Sequence, residues 1–169
     1  MDDKPMIRRF AQHEWRTYRD LRLHALADSP DAFGSTFARE QDRPDADWMH
    51  RLGEGAASET DLPLLVEVGG RPAGLAWCRI EESKPDVANL YQVWVAPEYR
   101  NLGAGTMLLE AVIAWARYRR IACIELGVTV GDNPAMRMYT RAGFVPSGPP
   151  QPLRPRSELM SQPMRLMLK

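Results

Sequence analysis

Val93-Trp94-Val95-Ala96-Pro97-Glu98-Tyr99-Arg100-Asn101-Leu102-Gly103-Ala104-Gly105-Thr106 passes from an apolar β-like run, through a proline stop, into a basic loop with two glycines, and a helical apolar pattern follows at once. That order builds an anion cradle. Glycines let the main chain turn tightly and come close to a bound group. A helix opening at about Thr106 directs unpaired N–H groups and the positive end of its dipole toward the loop. Arg100 adds a forked cation, so the amides of residues 100–106 are the candidate phosphate contacts.

Two commoner cradles are excluded by spacing, because neither the Lys-Ser/Thr pair of a P-loop nor the third glycine of a dinucleotide-binding fingerprint is present. What remains is Arg-x-x-Gly-x-Gly. About thirty residues further on stands Asn133-Pro134-Ala135-Met136-Arg137-Met138-Tyr139-Thr140-Arg141-Ala142-Gly143-Phe144. This ordered pair resembles the motifs of the GNAT superfamily, the acyl-CoA-dependent N-acetyltransferases, with the close match covering residues 89–144.

Composition limits the alternatives. A chain of 169 residues with 44% hydrophobic residues can bury one core, which fits a single domain over residues 1–169. Lys plus Arg balances Asp plus Glu at 22 each, so no overall field draws in nucleic acid or an anionic membrane. The acidic, polar start lacks the basic and apolar regions of a secretory signal, and no apolar stretch approaches membrane-spanning length; a cytoplasmic protein is expected. Cys78 and Cys123 sit singly in apolar runs, which suits reduced, buried thiols. His13, His24 and His50 are scattered, and no metal site is expected.

Residues 7–10 form a plausible first strand, and Trp15, Leu21, Leu23 and Leu26 fall in a helical stretch that ends before Ser29-Pro30. Turn formers fill residues 28–35, residues 45–52 read as a short capped helix, and residues 53–61 as a polar, mobile stretch. Residues 64–68 and 73–80 flank Gly69-Gly70 as a hairpin. Residues 87–95 return as a strand, making the sheet antiparallel as far as the loop. Leu108, Ala111, Val112 and Trp115 recur at helical spacing up to Arg119-Arg120. Residues 121–130 are a strand joined to 87–95 by a right-handed crossover. Asn133 and Pro134 start a last helix, which Gly143 and Phe144 end. The proline-rich residues 145–162 read as extended and irregular, with a closing strand at 164–168.

The resemblance implies an α/β (α+β) fold whose mixed, mostly antiparallel sheet has six to seven strands and helices on both faces. It implies acetyl-CoA as cosubstrate and a primary amine, on a small molecule or a peptide, as acceptor. Residues 100–106 would hold the pyrophosphate. Val93, Trp94 and Val95 would pair with the pantetheine arm, and the N–H of Val93 or a neighbour would polarise the thioester carbonyl. The arm would pass between strands 87–95 and 121–130, where Gly127 would ease a close approach. Tyr139 matches the position of the acid that protonates the leaving thiolate, and Asn133 a position that helps hold the cofactor.

The usual strand glutamate falls near Asn89, which cannot act as a base, and Glu81, Glu82, Glu125 and Asp132 are unranked substitutes. Phe33 and Trp48 lie beside the expected acceptor mouth, and core packing explains them equally well. A homodimer can form through residues 145–162 and the last strand, as terminal strands in that family sometimes do. The missing strand carboxylate leaves two rivals, a CoA-binding sensor without turnover and a transferase of longer acyl chains.

Overall fold

Gly69 and Gly70, at φ 58° and 77°, close the hairpin between β2 (Asp61–Val68) and β3 (Arg71–Ile80). Positive φ at both turn residues matches the right-handed twist of the paired strands. Around this hairpin the computed structural model, which describes residues 4–168, arranges the other strands: β1 (Met6–Arg9), β4 (Val87–Val95), β5 (Cys123–Thr129), β6 (Val145–Pro146), β7 (Gln151–Pro152) and β8 (Met160–Met167). Their order is β1-β2-β3-β4-β5-β8-β6, with β7 also on β8. The β4–β5 contact is parallel and the other pairings are antiparallel. The sheet therefore has eight strands rather than six or seven, because two dipeptides of the proline-rich segment pair with β8.

Helices cover both faces. Leu64, Val66, Cys78, Leu90 and Ile124 pack with Leu108 and Val112 of α4 (Ala104–Tyr118) and with Tyr139 of α5 (Pro134–Ala142). Leu65, Leu75, Trp77 and Trp94 face the other way, toward Tyr18 and Leu26 of α1 (Trp15–Asp28) and Trp48 and Leu52 of α3 (Asp45–Ala57). A short α2 (Phe37–Glu40) lies between α1 and α3. With both faces covered, β2 and β3 read as continuous apolar runs rather than alternating ones. No helix among the described residues is long and apolar enough to cross a membrane.

Several boundaries differ from the sequence expectation: β2 and β3 begin earlier, at Asp61 and Arg71, and β5 is shorter, Cys123–Thr129. The stretch after Leu52 continues α3 to Ala57 instead of loosening. Its Gly55 is required by packing, since a Cβ there would lie 2.3 Å from the Trp77 ring, and this contact outweighs the poor helix propensity of glycine. The last strand begins at Met160 and runs through Pro163. Pro163's carbonyl accepts the Ser147 N–H at 3.0 Å, so its missing donor faces the short-strand side and the ladder with β5 loses nothing. The first strand starts one residue early, at Met6.

β4 carries a bulge. Its register with β3 shifts between Leu75 and Trp77, and Gln92 takes φ 61°, a left-handed conformation unusual for a residue with a side chain. The Tyr18 hydroxyl, on a side chain wholly buried in α1, donates to Gln92 Oε1 at 2.8 Å. α1 thus holds the bulge. Gln92→Asn, which tolerates left-handed φ but is too short to reach Tyr18, should cost about 1–3 kcal/mol by orphaning a buried hydroxyl. Gln92→Val should cost ~1–2 kcal/mol more through backbone strain. Urea unfolding midpoints at unchanged slope measure both, and equal midpoints for the two variants would refute the strain at this position.

Candidate functional site

The loop between β4 and α4 leaves a run of donors unused. Tyr99 and Arg100 give their N–H groups to Ala96 and Pro97 carbonyls, and Met107 donates to Gly103 as the helix ladder begins. No hydrogen-bond partner is found among the described residues for the six amides between them, 101–106. The run exists because Asn101 and Gly103 both adopt left-handed φ, 67° and 82°, which turns successive N–H groups into a concave nest. Gly103 is the N-cap of α4, which therefore starts at Ala104, two residues before the expected Thr106. A Cβ on Gly103 would meet no atom within 4 Å, so glycine is needed there for φ and not for space. Gly105 differs, because a Cβ there would lie 3.2 Å from the Met138 sulfur of α5; its smallness lets the two helices meet. Leu102 and Thr106 are exposed, and Ala104 is buried beneath the loop.

Arg100 does not stand free. Its Nε donates to the Val95 carbonyl at 2.9 Å and its Nη2 to Asp28 Oδ2 at 2.8 Å. The same Asp28 oxygen accepts from Ser29 Oγ and from the Trp94 indole. These donors, Ser29 first, hold its carboxyl at about 2, well below the usual aspartate range. The last residue of α1 thereby ties the end of β4 to the loop.

Beyond Asn89, β4 and β5 part. Their parallel register covers only Val87 to Cys123, Ala88 to Ile124 and Asn89 to Glu125. β4 stays with β3 as far as Val95 while β5 stays with β8 as far as Thr129. Ala96 donates to Ala73 on β3, whereas the Val95 carbonyl faces the other way, to Arg100. Strand alternation puts the Val93 amide on that same, gap-facing side. Trp94 points to the α1 face, buried against His24 at a ring separation of 4.9 Å.

On the α1 face the parting strands open a cleft of about 320 Å³, bounded by Asn89, Tyr91, Glu125, Gly127, Ser161 and Leu153 among others. Of the four carboxylates raised as substitutes for a strand glutamate, Glu125 is the one on its wall. Glu125 Oε1 accepts both Nε and Nη2 of Arg165, at 3.1 and 2.7 Å. Asp132 is paired with Arg137 at the start of α5, while Glu81 and Glu82 are exposed in the turn after β3. The smallness of Gly127 is taken up by Ser161, whose Oγ would lie 2.6 Å from a Cβ there. Arg154, next in sequence to the lining residue Leu153, straps that segment to the one after α1, donating to the Phe33 carbonyl at 2.7 Å and to Pro30 at 3.2 Å. Phe33 and Trp48 both belong to the core. The Tyr18–Gln92 bond and the Arg154 strap had no signal in the sequence, since each joins segments more than seventy residues apart.

Tyr139 lies in the buried cluster with Leu126 and Val128 of β5 and Leu108 of α4, edge-on to Phe144 at 5.6 Å. Burial alone pushes its phenol above the ordinary tyrosine range, which keeps the proton on it. Asn133 caps α5 by accepting the Met136 N–H at 2.9 Å, and its amide nitrogen donates to the Thr129 and Gly131 carbonyls.

The chain is similar to known proteins on both sequence and fold. It is 36% identical over 87 residues to an uncharacterized N-acetyltransferase of Methanocaldococcus jannaschii, covering 48% of this chain and 38% of that one. It is 29% identical over 123 residues to a mycothiol acetyltransferase of Pseudarthrobacter chlorophenolicus, covering 71% of this chain and 36% of the relative. The chain thus spans well under half the length of these relatives. Its fold superposes with a TM-score of 0.80 on a Salmonella typhimurium acetyltransferase solved with its cofactor acetyl-CoA, at 19% identity and with 98% and 95% of the two chains covered. A family model described as the acetyltransferase (GNAT) family matches residues 9–144, and the chain belongs to that family.

Proposed function

We propose that this chain is an N-acetyltransferase that moves an acetyl group from acetyl-CoA to a primary amine by direct attack. The supporting observation is the run of six unpartnered amides at the entrance of α4, placed where β4 and β5 separate. A pyrophosphate satisfies those amides and sits at the positive end of the helix dipole. Asn101, Leu102, Gly103, Ala104, Gly105 and Thr106 hold it through main chain, and Arg100, whose own N–H is spent on the Pro97 carbonyl, only through its side chain. The Arg100 side chain stiffens the loop through Asp28 and keeps Nη1 for the anion. Val93, Trp94 and Val95 supply the strand edge along which the pantetheine arm lies, and Asn133 fixes the opposite helix. Free, buried Cys78 and Cys123 suit the reducing cytoplasm.

In the reaction the Val93 N–H points toward the thioester carbonyl oxygen, where negative charge develops. The amine nitrogen bonds to the acyl carbon as the carbon–sulfur bond breaks. Glu125, held by Arg165, receives the amine proton through water, and Tyr139 gives its phenolic proton to the departing sulfur. The high proton affinity that burial confers on Tyr139 lets it remain protonated until that step and regain its proton afterwards.

Two variants test this reading. Gly103→Val forces a β-branched residue to φ 82° and should weaken CoA binding at least about tenfold by calorimetry, from ~1–2 kcal/mol of strain in the nest. Unchanged affinity would remove the cradle. Tyr139→Phe should lower kcat by about 10²-fold, followed by release of free thiol, with CoA affinity kept within about twofold. An undiminished kcat would remove the acid assignment, and tight CoA binding without turnover on any amine would favour the sensor.

A further inference from the structure

The registers of five strands line up one polar row across the α1 face of the sheet. Asp61 of β2 stands opposite Arg79 of β3, Arg79 opposite Asn89 of β4, Asn89 opposite Glu125 of β5, and Glu125 opposite Arg165 of β8. The row alternates acid and base on either side of one neutral amide. Both charged pairs are closed, Arg79 Nε to Asp61 at 2.8 Å and Arg165 to Glu125 at 2.7 Å. Each nevertheless spends only part of its bonding capacity. No partner is found among the described residues for Nη1 and Nη2 of Arg79 or for Oε2 of Glu125.

These groups belong to two clefts, one lined by Asn89 itself and the other by its cross-strand neighbour Arg79. Glu125 lines the cleft of about 320 Å³ at the strand opening. Arg79 lines a second, of about 360 Å³, with Arg43, Asp47, His50 and Arg51 of the α3 region. Each is of small-molecule size. Neighbouring strands lie about 4.8 Å apart, so Arg79 and Glu125 rise from the sheet about 10 Å apart. A ligand lying across Asn89 meets a carboxylate beside the strand opening and a half-exposed guanidinium beyond it.

On the acyl-transfer reading above, we infer that the acceptor is a small primary amine that also bears a carboxylate, its amine beside Glu125 and its carboxylate on Arg79. The free Nη edge of Arg79 matches a planar carboxylate with two parallel bonds. The distance between the two groups suits an acceptor whose amine and carboxylate are separated by several carbons. Arg79 is here a specificity-determining residue and takes no part in the transfer itself.

The test uses the whole chain with acetyl-CoA and thiol release, comparing γ-aminobutyrate and δ-aminovalerate with their carboxamides and with butylamine. The acids should show a KM at least about tenfold below the amides, the scale of one charge-assisted bond pair. Arg79→Gln should abolish that difference while leaving the KM for the amides and the affinity for CoA within about twofold, and Arg79→Lys should restore part of it. A merely structural Arg79 would move all acceptors together. Equal KM values for acid and amide in the unaltered chain, or a difference that survives Arg79→Gln, overturns the inference and leaves acyl transfer standing. Failure to bind CoA overturns both.

Discussion

The governing constraint is that two neighbouring parallel strands stop bonding to each other after three residue pairs. Beyond Asn89 and Glu125 each strand relies on its outer partner, β3 for β4 and β8 for β5. Main-chain groups on the inner edges are then left to something other than the sheet, and a buried unpaired amide or carbonyl is costly. The surrounding structure is arranged to keep this opening. The bulge at Gln92 bends β4, Tyr18 locks the bulge from the α1 side, and α4 and α5 close over the other face with Gly105 against Met138.

The second support is Asp28. One carboxylate oxygen gathers Ser29, Trp94 and Arg100, so the end of α1, the end of β4 and the amide nest share a single electrostatic anchor. This explains why a loop with two left-handed residues is held rather than loose. It also leaves the Arg100 guanidinium paired within the chain.

The end of the fold that carries the β4–α4 loop and α5 was the most legible in the sequence. Pro97, the glycine pair and the Asn133-Pro134 and Gly143-Phe144 caps are local signals with local causes, and the strand bounds of β4 and the span of α5 follow them closely. Legibility failed where distant packing decides. Residues 53–61 looked like a mobile stretch, and Gly55 among them is a seat for Trp77. Gly127 looked like room for a ligand and is filled by Ser161. Pro163 looked like the limit of a strand and sits inside one, its donor side turned away from β5. Gln92 gave no hint of its backbone conformation, because the hydrogen bond that holds it comes from Tyr18. The polar row on the α1 face is legible only once the registers are known, since it is assembled from five strands scattered between residues 61 and 165.

The amide nest has a hereditary side. Its donors are peptide amides, which every residue but proline supplies, so no codon specifies the contact itself. What the gene must preserve is the torsion at residues 101 and 103 and the alanine tucked beneath them. Side chains along the cleft between β4 and β5 are under no such restriction. The architecture therefore separates a main-chain feature fixed by torsion from a cleft whose character its side chains decide, and the second can change without the first.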